Sequence, residues 1–265
     1  MQKKLDHPIA VGRTAEVYNW PNGQVLKLYF DWFGYEAIQY EQRIAQAVFA
    51  SGLSVPAVGE IIQVNDRNGL IYQRVEGVEM WDMIGRQPWL IFRYARQLAE
   101  LHVEIHATTL RVDLPNQHQK LRDKINGAKA LPNDLRIKTL AALETMPAED
   151  RLCHGDFHPG NLMVAGQTTT IIDWIDATLG NPLADLARTT ILLQGGVSSQ
   201  VQNPWHKIFI RALHARYVRH YFSLRPGGER EYNPYYAKTC GGYFSRPSLF
   251  SRVITPVDRN RLVYH

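Results

Sequence analysis

The feature that most constrains this chain is His154-Gly155-Asp156-Phe157-His158-Pro159-Gly160-Asn161-Leu162, followed by Ile171-Ile172-Asp173-Trp174. Asp, Asn, Gly and Pro are turn formers. Leu162-Met163-Val164 and Thr169-Thr170-Ile171-Ile172 have the composition of short strands. Polar turns packed beside such strands would bring Asp156, Asn161 and Asp173 to a common edge. Two carboxylates and one amide oxygen are hard ligands, suited to Mg²⁺ rather than to zinc. Mg²⁺ completes its shell with water and phosphate oxygens, so the cluster implies a phosphate-bearing substrate. His158-Pro159-Gly160-Asn161 by itself reads as an ordinary turn. The apolar segment that ends in Asp173 is what sets it apart.

The remaining chain can carry such a site. Its 265 residues suffice for one large domain or two packed lobes. Hydrophobic residues make up 45% and charged residues 21%, enough for a core without disulfides. Cys153 and Cys240 form no CxxC pattern, which argues against a zinc site or a disulfide scaffold. A net charge of +5 without long runs of like charge indicates no nucleic-acid or membrane arm. The N-terminal residues show no apolar signal region, and no apolar run approaches a bilayer span. The expected location is the cytoplasm.

Local pattern divides the chain. Ile9–Val11, Glu16–Trp20 and Gln24–Phe30 read as strands, the last two joined by the Pro21-Asn22-Gly23 turn. Tyr35–Ser51 reads as a helix ending at Gly52. Gly59–Asn65 and Gly69–Val75 read as further strands around an Asn65–Gly69 turn. Beyond residue 76 the pattern is mainly helical: Trp89–His106, Leu121–Ala130, Leu135–Glu144, Asp185–Leu193 and Trp205–Tyr221. The strand-like island around Asp156 interrupts it. Residues 232–265 mix Gly, Pro, Tyr and Arg without clear periodicity.

His-x-Asp-x-x-x-x-Asn with an apolar-Asp segment about a dozen residues on resembles the catalytic core of protein kinases. Gly155, the Pro-Gly-Asn ending and Ile172-Asp173-Trp174 in place of Asp-Phe-Gly resemble the aminoglycoside phosphotransferase family, which includes choline-kinase-like enzymes. The resemblance spans roughly residues 9 to 222. It implies an α+β, two-lobed, protein-kinase-like fold, with an N-terminal antiparallel sheet and one helix, and a mainly helical C-terminal lobe. Residues 1–75 would bind ATP, and 76–265 would carry catalysis and acceptor binding.

The resemblance also implies roles. Asp156 would be the catalytic base, with His154 supporting its loop. Asn161 and Asp173 would bind Mg²⁺. Lys27, which on composition alone is a lysine pointing out of an apolar strand, would hold the ATP phosphates. Its partner would be Glu41, with Glu36 as the alternative. Gly12 and Thr14 occupy the place of the phosphate-covering loop, which keeps only one glycine of the Gly-x-Gly-x-x-Gly pattern. Gln73 and Val75 would flank the hinge that meets adenine. Asp185 is either a helix N-cap or a buried brace for the catalytic loop, and Asp176 is not expected to reach the acceptor pocket.

The implied reaction moves the γ-phosphoryl group of ATP to a hydroxyl of a small molecule. Family members that bind aminoglycosides carry acidic acceptor pockets. Here residues 194–223 hold His206, Lys207, Arg211, His214, Arg216, Arg219 and His220 instead, which favours a metabolite over a polycationic antibiotic. The alternative is a catalytically impaired nucleotide-binding module of kinase fold, suggested by the atypical tail. A protein kinase proper is disfavoured because no Ala-Pro-Glu element follows Asp173.

Overall fold

The computed structural model describes residues 5–110, 114–199, 204–230 and 232, with side chains given up to 194 and again from 208. The expectation about the tail concerns residues almost all outside this set.

The N-terminal part is a five-stranded antiparallel sheet with one helix. Its strands are β1 (Ala10–Val11), β2 (Ala15–Trp20), β3 (Gln24–Tyr29), β4 (Val58–Val64) and β5 (Arg67–Gln73), in the order β1-β2-β3-β5-β4. Helix α1 (Tyr35–Ala50) crosses between β3 and β4. Side chains alternate across a strand, and β3 uses both faces. Leu26 and Leu28 pack with Tyr18, Val64 and Ile71. Tyr29 turns to the other face, with Ala15, Ile38 of α1 and Leu70. Lys27 shares the parity of Tyr29 and so faces the helix.

Two hairpin turns take the tight form that matches strand twist. Asn22 and Gly23 have φ of 62° and 69°, and Asn65 and Asp66 have 48° and 64°. The turn expected over 65–69 is therefore shorter. Arg67, Asn68 and Gly69 already pair with Val64, Gln63 and Ile62. Strand β5 ends at Gln73, short of Val75.

The C-terminal part is mainly helical. A link through β6 (Val78–Glu79) leads to α2 (Met80–Arg86), α3 (Ile91–Ala107), α4 (Gln117–Gly127) and α5 (Asn133–Glu144). Then come β7 (Arg151–Cys153), β8 (Leu162–Ala165), β9 (Thr168–Ile171), β10 (Thr178–Gly180), α6 (Pro182–Ser199) and α7 (Pro204–Leu224). Sequence pattern misses β6, α2 and β10, which are too short to show a period. The main core joins Ile44 and Val48 of α1 to Leu98 and Ile105 of α3, Phe157, Leu162, and Tyr217 and Tyr221 of α7. Burial of each such side chain stabilises the fold by about 1.5–3 kcal/mol.

Helix starts follow their caps. Helix α4 begins four residues before the expected Leu121 because Asn116 Oδ1 accepts the Gln119 N–H at 3.1 Å. Helix α6 begins before Asp185, since Asn181 Oδ1 accepts the Leu183 N–H at 2.8 Å. Asp185 is thus not the cap of this helix but lies inside its first turn.

Candidate active site

The catalytic-type loop leaves β7 at His154 and returns through a 3₁₀ turn at Pro159–Asn161. Asp185 fixes its start. One carboxylate oxygen, Oδ2, accepts the His154 N–H at 2.7 Å, and Oδ1 accepts the Gly155 N–H at 2.9 Å. Oδ2 also meets His102 Nε2 at 3.1 Å and His106 Nε2 at 3.3 Å. Tyr217 and Tyr221 hydroxyls reach the two Nδ1 atoms at 2.5 and 2.7 Å. Burial disfavours the Asp185 charge, but the hydrogen bonds from His102 and His106 hold its pKa well below the ordinary value. His102, His106 and Asp185 lie close enough together to ligate a metal. Each ring nitrogen and each carboxylate oxygen already has a hydrogen-bond partner, so the group is a buried brace. Of the two roles expected for Asp185, the structure shows the brace. The histidines were missed from sequence, although their i, i+4 spacing in Leu101-His102-Val103-Glu104-Ile105-His106 puts both on one helix face.

Gly155 has φ of 79°, and a Cβ there would collide with the Asp176 carbonyl. The loop therefore needs glycine at this point. His154 is fully buried. Its Nδ1 accepts the Asp156 N–H at 3.2 Å, and its Nε2 meets the Ile172 carbonyl at 3.1 Å. Burial lowers its pKa despite nearby Asp185 and Asp156. A neutral ring is what this pattern requires.

Asp156 lies at the loop's open side, its side chain 28% exposed. Arg188 Nη2 is 3.3 Å from Oδ1, and His158 Nε2 is 3.6 Å from Oδ2. Burial pushes its pKa up, but the nearby His158 and the Arg188 guanidinium prevail and hold it below the carboxylate range. Asn161 Nδ2 donates to the Asp156 carbonyl at 2.8 Å, which leaves the amide oxygen as the group suited to a cation.

Strand pairing brings Asn161 and Asp173 together. Leu162 and Ile171 are cross-strand partners at the end of the β8–β9 hairpin. Asn161 precedes one and Ile172-Asp173 follow the other, with the Ile172 N–H on the Asn161 carbonyl at 3.0 Å. Asp173 has φ of 61°, a left-handed conformation uncommon for a non-glycine residue. The donor set here is two oxygen-bearing side chains, consistent with a hard cation.

The sheet meets this edge through Lys27. Its Nζ lies 2.7 Å from Glu41 Oε1 and 3.4 Å from Asp173 Oδ1. Burial opposes the ammonium charge, but Asp173 and Glu41 outweigh it and raise the pKa of Lys27. Glu41 is 2% exposed and also accepts from Tyr72 Oη at 3.0 Å. Glu36 is exposed, so the structure selects Glu41 over Glu36 as the lysine's partner.

Gly12 and Thr14 lie in the β1–β2 turn, where the Gly12 N–H meets the Ala15 carbonyl at 2.8 Å. Gln73 closes β5, its N–H on the Ala57 carbonyl at 2.8 Å. Val75 follows in the link to β6. Gly77 closes that link with φ of 126°, because any Cβ would strike the Val164 carbonyl. Asp176 stands beside the loop and receives Lys120 at 3.0 Å and Lys124 at 3.1 Å, both from α4. These lysines and Arg188 were not singled out from the sequence; nothing in their local pattern marks them. Four of the basic residues singled out on α7 have contacts in the structure. His214 bonds Thr190, His220 pairs with Glu100, and Arg216 and Arg219 line a surface groove with Phe92. The side chains of His206 and Lys207 lie outside the described residues.

The model of the phosphotransferase enzyme family matches residues 21–235. The chain belongs to this family. The match includes Lys27, Glu41, Gln73, Val75, Asp156, Asn161 and Asp173. Solved structures add the fold. A thermostable mutant of aminoglycoside phosphotransferase APH(4)-Ia in apo form is 15% identical, with a TM-score of 0.62 over 95% of this chain and 92% of that one. ADP-bound aminoglycoside phosphotransferase APH(2'')-Ib is 16% identical, with a TM-score of 0.62 over 97% and 89%. A choline/ethanolamine kinase family protein from Mesorhizobium loti is 16% identical, with a TM-score of 0.58 over 92% and 79%. The fold is thus the two-lobed, protein-kinase-like α+β arrangement expected from sequence. No curated protein matches the chain. Among the described residues, no helix is long and apolar enough to cross a membrane.

Proposed function

We propose that this phosphotransferase moves the γ-phosphoryl group of ATP to a hydroxyl of a small molecule in the cytoplasm. The observation that carries the reading is Lys27, which touches Glu41 at 2.7 Å and Asp173 at 3.4 Å and so joins the sheet to the β8–β9 edge. In this reading residues 1–75 form the nucleotide lobe and 76–265 the catalytic and acceptor lobe. Lys27 binds the α- and β-phosphates, the Gly12–Thr14 turn covers them, and the backbone between Gln73 and Val75 meets adenine. Related structures support a nucleotide: one is ADP-bound, and APH(4)-Ia mutants hold ADP or AMP-PNP with hygromycin B.

Asn161 and Asp173 would hold Mg²⁺, which when bound offsets negative charge on the phosphoryl oxygens. Asp156 orients the acceptor hydroxyl. The hydroxyl oxygen bonds to the γ-phosphorus as the bond to ADP breaks, and the proton passes to Asp156 and then to solvent. A carboxylate with a lowered pKa is a weak base, so Asp156 mainly positions the hydroxyl and takes its proton late. This suits a reaction in which positioning and electrostatics supply most of the acceleration.

The test is Asp156→Asn, assayed by ADP release and by Mg·ADP binding. Turnover is expected to fall by about 10²–10⁴-fold with nucleotide affinity retained. Unchanged turnover would remove Asp156 from its role.

A further inference from the structure

The wall beside Asp156 that faces α4 and α6 is basic. Lys120 and Lys124, one helical turn apart, both reach Asp176 Oδ1, at 3.0 and 3.1 Å. Arg188 Nε donates to the Gly155 carbonyl at 3.3 Å, and its Nη2 meets Asp156 Oδ1 at 3.3 Å. The Asp176 backbone packs on Gly155, the residue before Asp156, and Lys120 feels the Arg188 charge, so the two pairs are neighbours. Three cations face two carboxylates there. Two ammonium groups share a single oxygen of Asp176, which leaves positive charge without a full counter-charge. Burial is the largest effect lowering the Lys120 pKa; Lys124 and Arg188 add to it, against the pull of Asp176. Tyr40 of α1 also feels Asp176 and brings no charge, since burial raises its pKa. Lys120 and Asp176 keep 22% and 25% of their side-chain surface exposed, and Lys124 keeps 47%, so a ligand can reach them.

A polycationic acceptor entering this wall would meet three positive charges, with its one spare carboxylate already shared. An anionic group would supply what the wall lacks. We propose that the acceptor is an oxyanion-bearing alcohol. Its carboxylate or phosphate sits between Lys120 and Lys124, and its free hydroxyl faces Asp156. This rests on the reading of Asp156 as the residue that orients the acceptor hydroxyl.

Mg·ADP-loaded protein is titrated with five probes and followed by thermal shift. Malate and glycerol 2-phosphate are the oxyanion alcohols, glycerol is the neutral one, and choline and kanamycin are the cations. The same probes are then offered with ATP and ADP release is read. The oxyanion alcohols are expected to bind and turn over in preference to the others. Lys120→Gln with Lys124→Gln should weaken their binding at least tenfold and leave Mg·ADP affinity within twofold. Asp176→Asn should tighten it at least twofold by freeing both ammonium groups. A merely structural role would weaken binding in both variants. If the double variant fails to fold, Lys124→Gln alone, at the more exposed position, carries the same test with at least a threefold loss.

Preference for choline or kanamycin, or weaker oxyanion binding in Asp176→Asn, overturns the inference. Binding of Mg·ADP with no response to either oxyanion alcohol also overturns it, and leaves the phosphotransferase reading standing. Binding of the oxyanion alcohols with transfer only to another probe overturns their assignment as acceptors and leaves the phosphotransferase reading standing; no transfer to any probe counts against both. Failure to bind Mg·ADP at all sinks both.

Discussion

Lys27 ties a buried carboxylate of the sheet's helix to the edge that holds Asp173. Glu41 is buried, and its charge is matched by an ammonium 2.7 Å away. Removing one partner of such a pair strands the other, at a cost of about 3–5 kcal/mol. Lys27 is 19% exposed, so Lys27→Met is expected at the low end, about 3 kcal/mol, in urea unfolding at neutral pH. Lys27→Met with Glu41→Leu should recover most of that stability, because neither charge is then left alone. ATP affinity should stay low in both. Recovery of ATP affinity together with stability would show that the pair is only a brace.

At the scale of elements, the site is made by short pieces whose ends are fixed by backbone pairing. The β8–β9 hairpin brings Asn161 beside Asp173, and Asp185 on α6 clamps the two N–H groups that open the loop. Gly155 lets that loop lie against Asp176. Gly155→Ala is expected to lose about 1–2 kcal/mol from its left-handed backbone alone. The collision with Asp176 should add to that and misplace Asp156. Calorimetry and ADP release on the same variant check this: turnover should fall more than the folded fraction does. The packed helices are sensitive in a different way. Leu98 of α3 is 0% exposed, and Leu98→Ala should cost about 2–5 kcal/mol in chemical denaturation through the cavity it leaves. Nucleotide affinity of the folded fraction should be unaffected.

At the scale of the whole molecule, buried histidines tie the fold to pH. Burial lowers His154, pushes His106 down to about 3 with help from His102, and pushes His214 down to about 4, against an ordinary 6.5. The folded values lie below the unfolded one, so acidification protonates the unfolded chain first. Their contribution is complete above pH 6.5 and is lost as pH falls, at about 1.4 kcal/mol per pH unit for each histidine. Asp185, held below its ordinary 3.8, adds a second loss only below that value. Urea midpoints between pH 7 and pH 5 should fall with pH, and His214→Gln should shallow the slope by about one proton. The sequence alone determined which residue types can meet magnesium and phosphate, because their spacing between short apolar segments is local, and it determined the β hairpins and the longest helices, because period and turn chemistry are local too. It left open whether Lys27 points outwards or inwards, which glutamate meets it, and whether Asp185 caps or braces. It also gave no sign that Lys120 and Lys124 meet at Asp176 or that Arg188 meets Asp156; the basic residues it singled out lay between 194 and 223. Those outcomes depend on which faces of distant elements pack together, a property of long-range burial that no window of neighbouring residues contains.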